Sequence, residues 1–286
     1  MKVQHILAAA DESEAGRQAV RSAIDLARRA DARVTVVRAV PVMAMAVAAT
    51  ITGGYDFAGA EVESPAIEDL RQWIGSDLRA QSEPPPVELA IASGIPGMEI
   101  RRLAEQREAD LVVLGRKRRS QLARLILGDT AGLVARHSRI PCLLVPADSG
   151  PLQRMLVAVD GSDHGMLVLA KAASFAQAIG ITTLRVLTVE PGPADQLPAG
   201  KSARIGSLDR QARDILNHQG LETGNLSVEV RRGAIIPQVL AAVIGSGTDV
   251  LAIGYHRGGL PGVIEAGSIG RHLAHTAPCA VLTVPL

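Results

Sequence analysis

The sequence predicts an α/β protein of two tandem, doubly wound domains, each built on a mostly parallel five-stranded sheet. Three observations lead there. The chain repeats itself at a nearly constant offset. Short aliphatic runs alternate with amphipathic stretches. Finally, 47% of residues are hydrophobic while Phe, Trp and Tyr together supply only 2%. That composition suits sheets and helices packed through Ala, Val, Leu and Ile.

The repeat fixes the domain organisation. Leu7-Ala8-Ala9-Ala10-Asp11-Glu12-Ser13 recurs as Leu156-Val157-Ala158-Val159-Asp160-Gly161-Ser162, an offset of 149 residues. Ala109 to Gly115 recurs as Thr248 to Gly254, an offset of 139, and the same 139 relates Gly94 to Gly233, Gly128 to Gly267 and Val145-Pro146 to Val284-Pro285. One ten-residue indel between Val40 and Gly94 explains the difference. The join, Asp148-Ser149-Gly150-Pro151, has linker chemistry. The expected domains are residues 1–147 and 151–286.

In the first copy, Ile6 to Ala10 reads as a strand. Glu14 to Arg29 reads as a helix, with Ala19, Ala23, Leu26 and Ala27 on one face. Strands follow at Val34–Val40, Val87–Ala92, Leu111–Leu114 and Pro141–Val145, and helices at Ile67–Leu78, Met98–Gln106 and Thr130–His137. Continuous aliphatic strands separated by helices call for a sheet covered on both faces.

Several function classes are disfavoured. A net charge of +1 gives no global field for nucleic acid or an acidic membrane, and the scarcity of aromatics argues against stacking platforms for single strands. Met1 to Leu7 runs straight into a strand without signal-peptide character, so a cytoplasmic location is expected. The longest apolar run, Val40 to Thr52, contains Pro41 and has 13 residues, short of the roughly 20 that span a bilayer. It reads as a loop or covering helix. Cys142 and Cys279 lie in separate aliphatic runs and read as core thiols.

Ligands of such sheets bind beyond the carboxyl ends of the strands, where strand order reverses. Two loops per copy reach that place. The first is Asp11-Glu12-Ser13 or Asp160-Gly161-Ser162, whose Asp suits a base amino group or ribose hydroxyl and whose Ser suits an N-cap; the purely structural reading weighs equally. The second, in the second copy, is Gly254-Tyr255-His256-Arg257-Gly258-Gly259, then Gly262 and Gly267-Ser268-Ile269-Gly270. Its glycines and the helix start after Gly267 form a sensible phosphate cradle.

An Asp ending strand one together with G-x2-G-x9-G-[ST] after strand four resembles the ATP-binding universal stress proteins, over nearly the whole chain. The resemblance implies an adenine nucleotide alpha hydrolase-like, Rossmann-like sandwich. It also implies an adenine nucleotide such as ATP, with or without Mg2+, as cofactor. By that similarity Asp160 and Val189 hold the base, Gly254 the ribose, and Gly258, Gly267 and Ser268 the phosphates, with Ile269 a further cofactor-binding residue. Arg257 replaces the middle glycine and offers a positive charge. The first copy departs further: Arg118 stands at the middle glycine and Asp129 replaces the Ser after Gly128, a negative charge at the phosphate subsite. That half is expected to be degenerate, its run Arg116-Lys117-Arg118-Arg119 a solvated basic loop or a lure for an anionic partner. The family's habit of pairing domains through their last strands implies an intrachain pseudo-dimer, with a homodimer as a further possibility.

Three lures carry less weight. Asp195 to Ser202 imitates the end of a P-loop but lacks its first glycine. His272 and His275 sit three apart on a helix without a third ligand. No G-x-S-x-G elbow supports a hydrolase. The leading expectation is a stress-response binding protein that senses adenine nucleotide with little or no turnover and acts on an unidentified protein partner. Its rivals are a non-nucleotide adaptor with both sites decayed, working through its surfaces or through an apolar ligand under the Val42 to Gly59 insertion, and a slow ATPase or autophosphorylating protein using Ser268.

Overall fold

The computed structural model describes residues 2–40, 65–79, 83–118, 125–126, 128–193, 201–218, 226–255 and 268–285. In the first half the chain forms β1 (His5–Ala9), α1 (Glu14–Ala30), β2 (Arg33–Val40), α2 (Pro65–Arg79), β3 (Val87–Ser93), α3 (Pro96–Gln106), β4 (Leu111–Arg118), β5 (Leu125–Ile126), α4 (Asp129–His137) and β6 (Cys142–Pro146). The second half repeats the plan with β7 (Arg154–Ala158), α5 (Asp163–Ala178), β8 (Thr183–Glu190), α6 (Lys201–His218), β9 (Leu226–Arg232), α7 (Ile235–Gly245), β10 (Val250–Tyr255), α8 (Ser268–Thr276) and β11 (Ala280–Pro285). The sequence-read elements agree to within a residue or two, with one exception. β4 continues through Arg118 and pairs antiparallel with β5, where a loop was expected after Leu114.

Strand order is β3-β2-β1-β4-β6-β11-β10-β7-β8-β9, with β5 attached to β4. Pairing inside each half of this order is parallel. The halves meet at an antiparallel seam, β6 against β11, with Leu143 opposite Leu282 and Cys142 opposite Thr283. The two five-stranded sheets are therefore one continuous sheet. Strand order reverses between β1 and β4, and again between β7 and β10, the places at which sheets of this kind take ligands.

Each face of the sheet carries its own core, and both cores span the two halves. One is built from α1, α2, α5 and α6 with alternate strand residues such as Ile6, Val113, Val157 and Leu282. The other is built from α3, α4, α7 and α8 with Leu7, Leu114, Leu144 and Val281. The period-2 alternation explains how an all-aliphatic strand feeds two cores.

Small features repeat with the same atoms. Asp110 Oδ2 accepts from the backbone N–H of Gln4 (2.8 Å) and His5 (3.0 Å), and Asp249 Oδ2 accepts from Gln153 (3.2 Å) and Arg154 (2.9 Å), tying the start of strand one to the segment before strand four in each half. Gly94 and Gly233 adopt φ of 152° and 140°, where a side chain is strained, so glycine recurs after β3 and β9. Cys142 is buried and Cys279 half-buried, and burial pushes their thiols up to about 12 and about 11. Among the described residues no helix is long and apolar enough to cross a membrane, and no three His, Cys, Asp or Glu side chains are grouped to hold a metal. Val40 ends β2; residues 41–64, including the Val42 to Gly59 insertion, and residues 194–200 of the P-loop lure lie outside the described residues.

Candidate functional site

Each half turns from its first strand into its first helix through the same Asp-x-Ser unit. In the second half, Asp160 Oδ1 accepts from Ser162 Oγ (2.6 Å) and Ser162 N–H (3.0 Å), while Ser162 Oγ accepts from the Gly165 N–H at 3.1 Å as the N-cap of α5. Asp11, Ser13 and Gly16 make the same contacts at the start of α1. The cap is thus real, and it aims the carboxylate. Burial works against charge on Asp160, but the Ser162 hydroxyl and amide, its own amide and the nearby His164 together hold it below the ordinary carboxylate value. It is an acceptor at neutral pH, with Oδ2 not engaged in the cap.

A cavity of about 470 Å³ opens at the carboxyl ends of β7, β8 and β10, bounded by the first turns of α5, α7 and α8. It gathers four of the sequence-selected residues: Asp160, Val189, Gly254 and Ile269. Its walls are aliphatic, from Val159, Val168, Leu187, Val239, Ile253 and Leu273, and its polar rim is Asp160, Ser162 and His164. Gly270 packs against Gly254, since a Cβ there would lie 2.8 Å from the Gly254 carbonyl oxygen. That contact brings the N-terminus of α8 to the cavity. Ser268 is the first residue of α8; Arg257, Gly258 and Gly267 lie outside the described residues.

The equivalent place in the first half is built differently. A Cβ on Gly115 would fall directly on the Ala15 carbonyl group and 2.7 Å from Gly16 N, so the first turn of α1 sits on the glycine that corresponds to Gly254. Beyond it, Arg116 corrects the expectation of a solvated basic loop. Its side chain is fully buried, Nη1 donates to Ala274 O (2.7 Å) and Nη2 to Ala277 O (2.7 Å) and Cys279 O. A first-half strand thus holds one carbonyl of the last turn of second-half helix α8 and two of the segment that follows it, where a cation meets the negative end of the helix dipole. Arg119 lies outside the described residues.

Several lining residues escaped the sequence reading. Gly165 is required because a Cβ would come within 2.6 Å of Asp160 Oδ1; its recurrence as Gly16, at the same offset of 149 as Asp11 and Asp160, was a usable signal. Ile235, Val239 and Leu273 come from distant helices and carry no local mark of their role.

Comparison with known proteins meets this geometry. The model of the Universal stress protein family matches residues 2–146 and, a second time, residues 151–285. The chain belongs to the universal stress protein family. It is similar to a universal stress protein of Mycobacterium tuberculosis, 23% identical over 234 residues, 78% of this chain and 76% of that protein. It is also similar to one of Synechocystis, 28% identical over 147 residues, 49% of this chain and 96% of that protein. Among solved structures, a universal stress protein from Archaeoglobus fulgidus superposes with a TM-score of 0.73 at 16% identity, covering 100% of this chain and 99% of that one. The tandem universal stress protein architecture thus extends over the whole of a solved chain.

Proposed function

We propose that this tandem universal stress protein is a regulatory binding protein that takes an adenine nucleotide such as ATP in its second half, with little or no turnover. The observation that supports this most is the single cavity uniting Asp160, Val189, Gly254 and Ile269 at the strand-order reversal. Its volume lies in the range of small-ligand sites, and its aliphatic walls suit a planar base. Asp160 supplies an acceptor for an amino group or ribose hydroxyl, and the N-terminus of α8 points unpaired amides at a phosphate chain. The residues present fit the nucleoside part of the ligand.

Low turnover follows from the lining. Ser162 is committed to capping α5 and to Asp160, and the depressed Asp160 is no proton donor near neutral pH. In the first half the turn of α1 seated on Gly115 and the Asp129 carboxylate at the start of α4 both disfavour a nucleotide. Asp160→Ala should weaken ATP binding about tenfold or more, the loss of a charged hydrogen bond, while Asp11→Ala should leave it unchanged. Equal loss in both variants, or none in either, would defeat the assignment to the second half.

A further inference from the structure

Helix α8 ends differently from its repeat counterpart α4, and the difference runs through the other half. At the offset of 139, Ala274, Ala277 and Cys279 correspond to Ala135, Ser138 and Ile140, and Tyr255 corresponds to Arg116. In the first half the turn after α4 closes on itself. The Ser138 hydroxyl donates to Ile140 O (2.7 Å) and accepts from the Ile140 N–H (3.0 Å), and Cys142 Sγ donates to the same carbonyl at 3.4 Å. In the second half Ala277 stands in place of that serine and has no hydroxyl to offer. There the carbonyls of Ala274, Ala277 and Cys279 receive the Arg116 guanidinium instead. Tyr255 has no cation to give in return, so at this position the support runs only from the first half to the second.

What this support controls follows from the other end of the helix. α8 has nine residues, a rod of about 13 Å. Its first turns supply Ile269, Gly270 and Leu273 to the cavity, and Gly270 rests on the Gly254 carbonyl. Strand β5 of the first half packs on the same helix. Arg116 is 0% exposed, and a guanidinium so buried keeps its acceptors, because losing them leaves a charge with neither water nor partner. One end of a short rod is thus pinned by the first half while the other shapes the ligand site of the second.

We propose that Arg116 is a positioning residue for the second-half cavity, through which the first half sets the placement of α8 and with it the affinity for nucleotide. The inference rests on the reading of that cavity as a nucleotide site. Arg116 does not line the cavity and acts only through α8. The first half, whose own crevice is closed by α1 on Gly115, thereby keeps a role in binding: it supplies from outside the closure that Ser138 provides locally after α4.

The test is calorimetric titration of ATP into the full chain, with hydrogen exchange of α8 recorded on the same variants without nucleotide. Arg116→Met should raise Kd about tenfold, within the usual range of coupling between sites, and should speed exchange in α8 more than in α4. Adding Ala277→Ser to Arg116→Met restores a local closure of the Ser138 kind and should bring Kd back to within about threefold of the wild type. Ile24→Ala, a cavity in the α1 core, should lower Tm comparably and leave Kd unchanged, which separates positioning from general loss of stability. Should Arg116→Met not fold, Arg116→Gln retains one donor and should still raise Kd about threefold or more. The proposal is overturned if the Arg116 variant binds ATP as the wild type does, or if Ile24→Ala weakens binding as much. A wild type that binds no ATP defeats the nucleotide reading alone; positioning is then overturned if α8 exchanges no faster, relative to α4, in the Arg116 variant.

Discussion

His5 is buried at the start of β1, where its Nδ1–H donates to the Arg107 carbonyl at 2.9 Å and its Nε2 accepts from Thr35 Oγ1 at 2.8 Å. Burial is the main cause that lowers it below the ordinary histidine value, with Arg33 and Arg107 adding to the effect and the Arg107 carbonyl and Asp110 opposing it. The folded state therefore refuses a proton that the unfolded chain accepts near pH 6.5. Stability from this site is intact above that pH and is lost as pH falls through it, by at most about 1.4 kcal/mol per pH unit. His275, lowered by burial and then by the cations around it, acts in the same direction. His5→Gln should flatten the fall of Tm between pH 7 and pH 5; an unchanged slope would mean that His5 titrates normally. At Gly115 a methyl group would strike the backbone of Ala15, so Gly115→Ala should cost about 1–3 kcal/mol in urea unfolding. At this scale the sequence was legible where a residue acts locally: Ser13 and Ser162 are N-caps because Asp-x-Ser precedes an amphipathic run. It was silent where the partner is remote, as for Asp110 and Asp249, which bind amides more than ninety residues away.

Helix and strand positions of the first copy were read to within a residue or two because aliphatic runs and turn signals alternate cleanly there. The exception, β4, shows where that reading stops. A strand ending at Leu114 followed by Gly115-Arg116-Lys117-Arg118 carries the local signature of a solvated loop, yet pairing with β5 prolongs it, and carbonyls of the last turn of α8 and of the segment after it bury Arg116. Those partners lie 158 and 161 residues downstream, beyond the reach of any local pattern. Arg116→Met keeps the apolar stem and deletes the donors to α8. It should lower stability by about 3 kcal/mol, the scale of losing charged hydrogen bonds in a buried place. Hydrogen exchange should show the last turn of α8 losing protection before the rest of the sheet. Uniform loss across both halves would instead argue that Arg116 serves the whole core and not this helix. Because Gly270 couples the other end of α8 to Gly254 and the cavity, this contact also links the first half to the proposed nucleotide site.

The two halves share a sheet and both cores, so a fragment of residues 151–286 exposes an aliphatic edge at β11 and the carbonyls that Arg116 normally occupies. Such an edge invites pairing. The fragment should fold and self-associate through β11; a stable monomer would contradict the account of the seam, and so would an unfolded chain. The pairing of domains through their last strands was implied by resemblance to the family, whereas composition and periodicity bore only on the two sheets separately. The central claim, one adenine nucleotide held by the second half, is tested most directly by calorimetric titration of ATP into the wild type, Ser268→Asp and Asp129→Ser. The account predicts one site per chain, binding strongly weakened by a carboxylate placed at the first residue of α8, and little change or a weak second site from Asp129→Ser. ATP binding that is unaffected by Ser268→Asp would contradict it.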